Sequence, residues 1–312
     1  MAQFGFRLPD FPADNSDSAT FHRQIRENMD TVAEGGFDSA WVADHFIPWA
    51  TWEPENSPTV ECWTTLAHLS ALYPDLTWGP IVLCQSYRNP AVLAKKVAAL
   101  CQFIPGKFVF GIGAGWKDNE YRMYNFPFPK ASVRIKQMEE QIEIAKRLWT
   151  EDRVTWEGEH YAVYDCVVSP KPDPVPPIMV GGGGEKLTLR VAAKHGDWWN
   201  FQGGTIEYFQ HKLNVLKGHC DAVGRNFDEI TQSWSASCVA IADTEEKAEE
   251  IARKSRFFSE EGAIYGTPDQ LIEKFKAREA AGCHHFQIRL ADFPNTEGIT
   301  RFAKEVLPHV RS

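Results

Sequence analysis

The densest chemistry in this chain is Asp44-His45, an acid and an imidazole that end a short apolar run, Ala40-Trp41-Val42-Ala43. An imidazole changes charge near neutral pH, so it can give or take the proton that accompanies hydride transfer. A structural histidine with a satisfied ring is the plain alternative. Asp44 could orient the imidazole or accept a hydrogen bond from a bound ring. The following loop carries Trp49 and Trp52, flat side chains able to wall a planar ligand. Gly111-Ile112-Gly113-Ala114-Gly115 lacks the last glycine spacing of a dinucleotide fingerprint and runs into a long loop. It reads as tight turns, or as backbone brought close to a ring system with the Glu120 carboxylate nearby. Gly181–Gly184 precede a helix, and Asn200-Phe201-Gln202-Gly203-Gly204-Thr205 repeat that design one unit later. Glycines at a helix N-terminus admit an anion or a flat ligand to exposed N–H groups. As a pair they tilt toward a ligand cradle over simple turns.

Other chemistries fit poorly. His284-His285 would point to opposite faces of a strand, His22 and His68 stand alone, and no H-x-H or H-E-x-x-H spacing supports a metal. Seven cysteines, an odd and scattered set without C-x-x-C, fit reduced thiols and not a disulfide frame. No serine sits in a G-x-S-x-G elbow. A net charge of −9 without a Lys/Arg run argues against nucleic acid. With 43% hydrophobic residues but no 18-residue apolar run or leader-like start, the expectation is a cytoplasmic protein acting on a small molecule, away from membranes.

The elements that must hold these residues alternate. Apolar strands are expected at 3–8, 39–43, 77–84, 107–112, 178–180, 197–201, 233–241 and 286–290, each followed by a helix. Val133–Trp149 shows the helical spacing in Met138, Ile142, Ala145 and Leu148. Thr267-Pro268-Asp269-Gln270 is a capping box opening another helix. Residues 153–168 break the rhythm as an inserted β-hairpin. Eight strand–helix units predict a single (β/α)8 TIM barrel domain over 1–312, with the open doubly wound sheet as runner-up. Ligands then belong at the strand C-termini, where Asp44-His45 and the glycine clusters all fall. Loops 47–59, 116–130 and 258–265 would shape the substrate site.

Together, Gly36-Phe37-Asp38-Ser39, Trp41–Phe46, Tyr87-Arg88-Asn89-Pro90, Phe110–Trp116, Pro177–Glu185 and Gly196–Asn200 resemble the luciferase-like monooxygenase superfamily, especially its coenzyme F420-dependent branch. The resemblance spans nearly the whole chain. It implies a barrel, usually a homodimer, with a deazaflavin (or, alternatively, FMN) ring at the strand C-termini and its phosphate over the later loops. Asp44–Trp49 are most similar to F420-dependent sugar-phosphate and alcohol dehydrogenases. The similarity implies His45 as base and Trp49 as a wall of the site. It also implies a non-proline cis peptide at Ile81–Val82 against the ring, and contacts from Gly113, from Gly181, Gly182, Gly183 and Gly184, and from Asn200, Phe201, Gln202, Gly203 and Thr205. One departure stands out. Trp116 occupies the place of those dehydrogenases' proton-donating Glu, and Glu120 is the nearest substitute, which weighs against a sugar-phosphate substrate. The expected activity is F420-dependent hydride transfer to or from a small organic substrate. An FMN-dependent monooxygenase and a non-catalytic flavin-binding barrel are the rivals.

Overall fold

A computed structural model describes residues 2–311. Its strands are Gln3–Arg7 (β1), Ser39–Val42 (β2), Thr77–Pro80 (β3), Leu83–Cys84 (β4), Phe110–Gly113 (β5), Val154–Glu157 (β6), Ala162–Cys166 (β7), Ile178–Gly181 (β8), Trp198–Gln202 (β9), Thr231–Ile241 (β10), Ala263–Gly266 (β11) and His285–Leu290 (β12). The main sheet runs β3-β2-β1-β12-β10-β9-β8-β5-β4, with β11 beside β10. Every pair in it is parallel; β6 and β7 form a separate antiparallel hairpin where the inserted one was expected.

The expected third strand, 77–84, is split. β3 and β4 are its halves, separated at Ile81–Val82, whose peptide bond is cis. Because β3 ends the sheet path at one side and β4 at the other, the path closes on itself, helped by a Trp78–Phe108 bridge. The result is the (β/α)8 barrel. Two segments read as loops carry structure. Residues 258–265 run into β11, which pairs with β10, and 116–130 contain the helix Asp118–Met123. Four and six residues are too few for a period to show in sequence. The helix after the glycine run begins at Thr188.

Two environments follow from strand alternation. Outward-facing Phe4 and Phe286 on the strands pack against Phe275 and Phe302 from the helices, with Phe4 at 5.0 Å from Phe286 and 5.3 Å from Phe275. Burying each such side chain stabilises by about 1.5–3 kcal/mol. The inner face is mostly polar around Trp41, Val109 and Met179. The Trp41 Nε1–H donates to Ser39 Oγ at 2.9 Å, and Ser39 Oγ also meets His285 Nε2 at 2.9 Å. Burial drags the His285 pKa down to about 3, so this ring stays neutral. Higher up, the Asn200 amide donates to Ser233, Ser235 and Gln287. Paired polar groups fix side-chain positions below the barrel mouth. Outside, caps set helix starts: Asp17 accepts from the Thr20 N–H at 2.8 Å, and the Thr267–Gln270 capping box is formed as expected. Each such cap contributes about 1 kcal/mol. No helix among the described residues is long and apolar enough to cross a membrane.

Candidate active site

The strand C-termini open onto a cavity of about 560 Å³, a volume typical of small-ligand sites. His45 comes off the end of β2 and lines it. Its partner is Glu120 and not Asp44: His45 Nδ1 lies 2.9 Å from Glu120 Oε2. Glu120 is fully buried behind the imidazole, outside the cavity wall, and accepts three further hydrogen bonds. The Phe46 and Ile47 N–H groups donate to Oε1 at 2.9 and 3.1 Å, and the Tyr87 hydroxyl donates to Oε2 at 2.8 Å. Burial works to raise the Glu120 pKa. The hydrogen bonds from His45, the Ile47 N–H and Tyr87 outweigh it, and the carboxyl is held below its ordinary range. An ionised acceptor with all its neighbours donating fixes the proton of His45 on Nδ1 and leaves Nε2 with a free lone pair. The helix Asp118–Met123, invisible in the sequence, places this carboxylate.

Asp44 is engaged elsewhere. Arg88 grips it with two hydrogen bonds of 2.7 and 2.8 Å, and the Cys84 N–H donates to it at 2.8 Å. Arg88 also reaches Glu61 at 2.8 Å. A bidentate guanidinium–carboxylate pair is directional and strong when dry, so Asp44 presents a fixed carboxylate to the cavity wall. Of the two parts considered for Asp44, orienting His45 falls to Glu120. Trp49 lines the cavity and donates from Nε1 to Asp10 at 3.2 Å. Trp52 turns outward and donates to the Arg256 carbonyl. Trp116 meets the His45 ring edge-on at 5.6 Å, in the cavity wall.

The other side of the cavity is backbone. A Cβ on Gly113 would come within 2.6 Å of Val82 Cγ2, and one on Gly181 within 2.8 Å of the same methyl. Gly183 could not take one without striking the Phe201 ring at 2.6 Å. Val82 therefore packs directly on the main chain at the ends of β5 and β8, and glycine at those two positions is what admits it. That side of the cavity is main chain with the Val82 side chain on it, and His45, Trp49 and Trp116 line the same cavity. Ile81, Val82, Gly113, Gly181, Gly182, Gly183, Asn200, Phe201 and Gln202 all line the cavity. Three expected contacts do not. Gly184 lies past the wall, Gly203 packs its carbonyl under Trp234 Nε1 at 2.7 Å, and Thr205 caps the helix Ile206–Val223 through the Tyr208 N–H. Glycine and threonine serve turns and caps as readily as ligands, so composition alone could not separate these uses.

Sequence reasoning gave no part to Arg7, Tyr87, Arg88 or Lys117. Arg7 had a readable signal: it is a charge on the inward phase of β1.

A family model described as luciferase-like monooxygenase matches residues 2–259. Among curated proteins, the F420-dependent glucose-6-phosphate dehydrogenase of Segniliparus rotundus is 26% identical over 320 residues, covering 93% of this chain and 94% of that protein. The enzyme of the same description from Kineococcus radiotolerans is 34% identical over 203 residues, 64% of this chain and 59% of that one. Among solved structures, an F420-dependent secondary alcohol dehydrogenase in complex with an F420–acetone adduct superposes with a TM-score of 0.86 at 20% identity, over 100% of this chain and 99% of that one.

Proposed function

The chain belongs to the luciferase-like monooxygenase family, and from that footing we propose that it is an oxidoreductase using coenzyme F420 to move hydride to or from a small organic substrate. The observation that carries this reading is the imidazole of His45, held through Nδ1 by a buried carboxylate on the wall of the cavity at the strand C-termini. When bound, the deazaflavin would supply or take the hydride; the protein orients it and handles the proton. Val82, Gly113 and Gly181–Gly183 would hold the ring, with Asn200–Gln202 toward its tail. His45 Nε2 takes the proton released by an alcohol, or returns it to a carbonyl. Glu120 keeps Nδ1 protonated and stabilises the imidazolium that forms, much as a buried Asp does in a serine-protease triad. Trp49 and Trp116 exclude water from the reacting face.

The curated relatives are sugar-phosphate dehydrogenases. Here Trp116 stands at the mouth in the place of those dehydrogenases' proton-donating Glu, and Glu120, the nearest substitute, is turned away from the cavity. A substrate other than a sugar phosphate is the better fit. A homodimer in the cytoplasm belongs to the same reading. Val92 and Phe103, eleven residues apart and so on one helical face, are 54% and 77% exposed on the helix Pro90–Phe103. The test is titration of the purified protein with F420 and, separately, FMN. F420 should bind at least about tenfold tighter, a difference of ~1.4 kcal/mol. Equal affinities, or a preference for FMN, would refute the cofactor assignment.

A further inference from the structure

Arg7 is the last residue of β1 and lines the cavity. It is 4% exposed, and neither its Nε nor its Nη1 has a hydrogen-bond partner. A guanidinium remains charged at neutral pH, and burying one unpaired is costly. Its surroundings add to that cost. Arg289, fully buried on the neighbouring β12, repels it. The one carboxylate between them, Asp10, is already taken: Oδ1 accepts from Arg289 Nη2 at 2.8 Å and from Trp49 Nε1 at 3.2 Å. Asp10 Oδ2 is itself without a partner and does not reach Arg7. Burial first, and Arg289 second, push the Arg7 pKa down to about 9, with Asp10 offsetting only part. The group is still protonated at pH 7. Two buried cations thus share one anion, and the uncompensated one faces the cavity.

Its place on the ring of strands says which ligand it serves. β1 lies between β2, which carries His45, and β12; β8, with the glycine wall, is four positions away in either direction. An anion on Arg7 is therefore on the imidazole's side of the mouth and across from the slot that suits the cofactor's ring and tail. A carboxylate matches the guanidinium in charge and in its need for acceptors, and a cavity of about 560 Å³ is of a size for small ligands.

We propose that Arg7 receives the carboxylate of the substrate, which makes the substrate a small organic acid.

The inference rests on the oxidoreductase reading, and the experiment keeps the two apart. Wild type, Arg7→Met and Arg7→Lys are first titrated with F420 by calorimetry. Each is then titrated, with and without F420, with acetate, lactate and 3-hydroxybutyrate, with the three corresponding amides, and with inorganic phosphate. At least one acid should bind wild type about ten- to a hundredfold tighter than its amide, as one desolvated charge-assisted contact provides. Arg7→Met should abolish that ratio and leave F420 affinity within about twofold, while Arg7→Lys keeps part of it. Four results would overturn the proposal: acids and amides alike in wild type; phosphate preferred over every acid; an acid preference that persists in Arg7→Met; or an Arg7→Met defect in F420 binding instead. Should Arg7→Met not fold, the wild-type ratio and Arg7→Lys decide. If wild type does not bind F420, the oxidoreductase reading fails, and the acid-to-amide ratio still judges Arg7.

Discussion

On the β2 side of the barrel mouth the cavity is lined by polar side chains held by partners, His45 on Glu120, Asp44 on Arg88 and Trp49 on Asp10, with Arg7 of the neighbouring β1 the unpaired exception. On the β8 side it is lined by main chain, with Gly113, Gly181 and Gly183 so close to Val82 or Phe201 that no side chain fits. The first wall is tuned in electrostatics and tolerant of small changes in shape. The second is tuned in shape and nearly indifferent to charge. A site that must both move a proton and hold a flat ring needs both, and the barrel supplies them from different strands around one mouth.

The largest effect should come from the charged wall. His45→Ala should slow turnover of any alcohol or carbonyl the wild type accepts by ~10²–10⁴-fold, with F420 affinity nearly unchanged; a matching loss of affinity would mean that the two walls do not divide the work. Next, Arg88→Met leaves the Asp44 carboxylate buried without its counter-charge, and should cost about 3–5 kcal/mol in urea unfolding. A loss under about 1 kcal/mol would show that Asp44 is held by its Cys84 N–H contact. On the other wall, Gly181→Ala overpacks against Val82, which should cost about 1–3 kcal/mol and weaken F420 binding; here lost affinity with intact proton chemistry is the expected signature. The smallest effect is in pH. Glu120 has a depressed pKa in the folded protein, so its contribution to stability is fully present above the ordinary carboxylate range and is lost as pH falls through its lowered value. Unfolding midpoints between pH 7 and pH 3 should fall more steeply for wild type than for Glu120→Gln. Parallel curves would contradict the ionised carboxylate.

How much of this was legible beforehand differs between the same two walls. The barrel, the inserted hairpin and the capping box were readable because strand runs and helical periods are long enough to register. The glycine wall was readable too, since Gly181–Gly183 and Gly113 sit directly at strand ends. The charged wall was only half visible. His45 and Trp49 follow a strand in sequence, whereas Glu120 reaches His45 across 75 residues by way of a helix of six. Asp44 adjoins His45 in the chain, and for that reason looked like its partner. On a strand end, however, successive side chains diverge, and Asp44 turns to Arg88. β11 escaped for the same reason as the short helix: its four residues carry no period, and what holds it is pairing to β10. Arg7, by contrast, needed only the alternation of Gln-Phe-Gly-Phe-Arg to be placed inside the barrel.

The central claim is that His45 keeps its proton on Nδ1 and offers Nε2 to a reaction on F420. Nitrogen-15 NMR of the histidine rings, with His45 located through His45→Ala and spectra taken before and after saturation with F420, tests it most directly. The Nδ1–H form should be the neutral tautomer in the free protein, and the Nε2 resonance should move when F420 binds. A ring protonated on Nε2, or a His45 signal unchanged at saturating F420, would contradict the account.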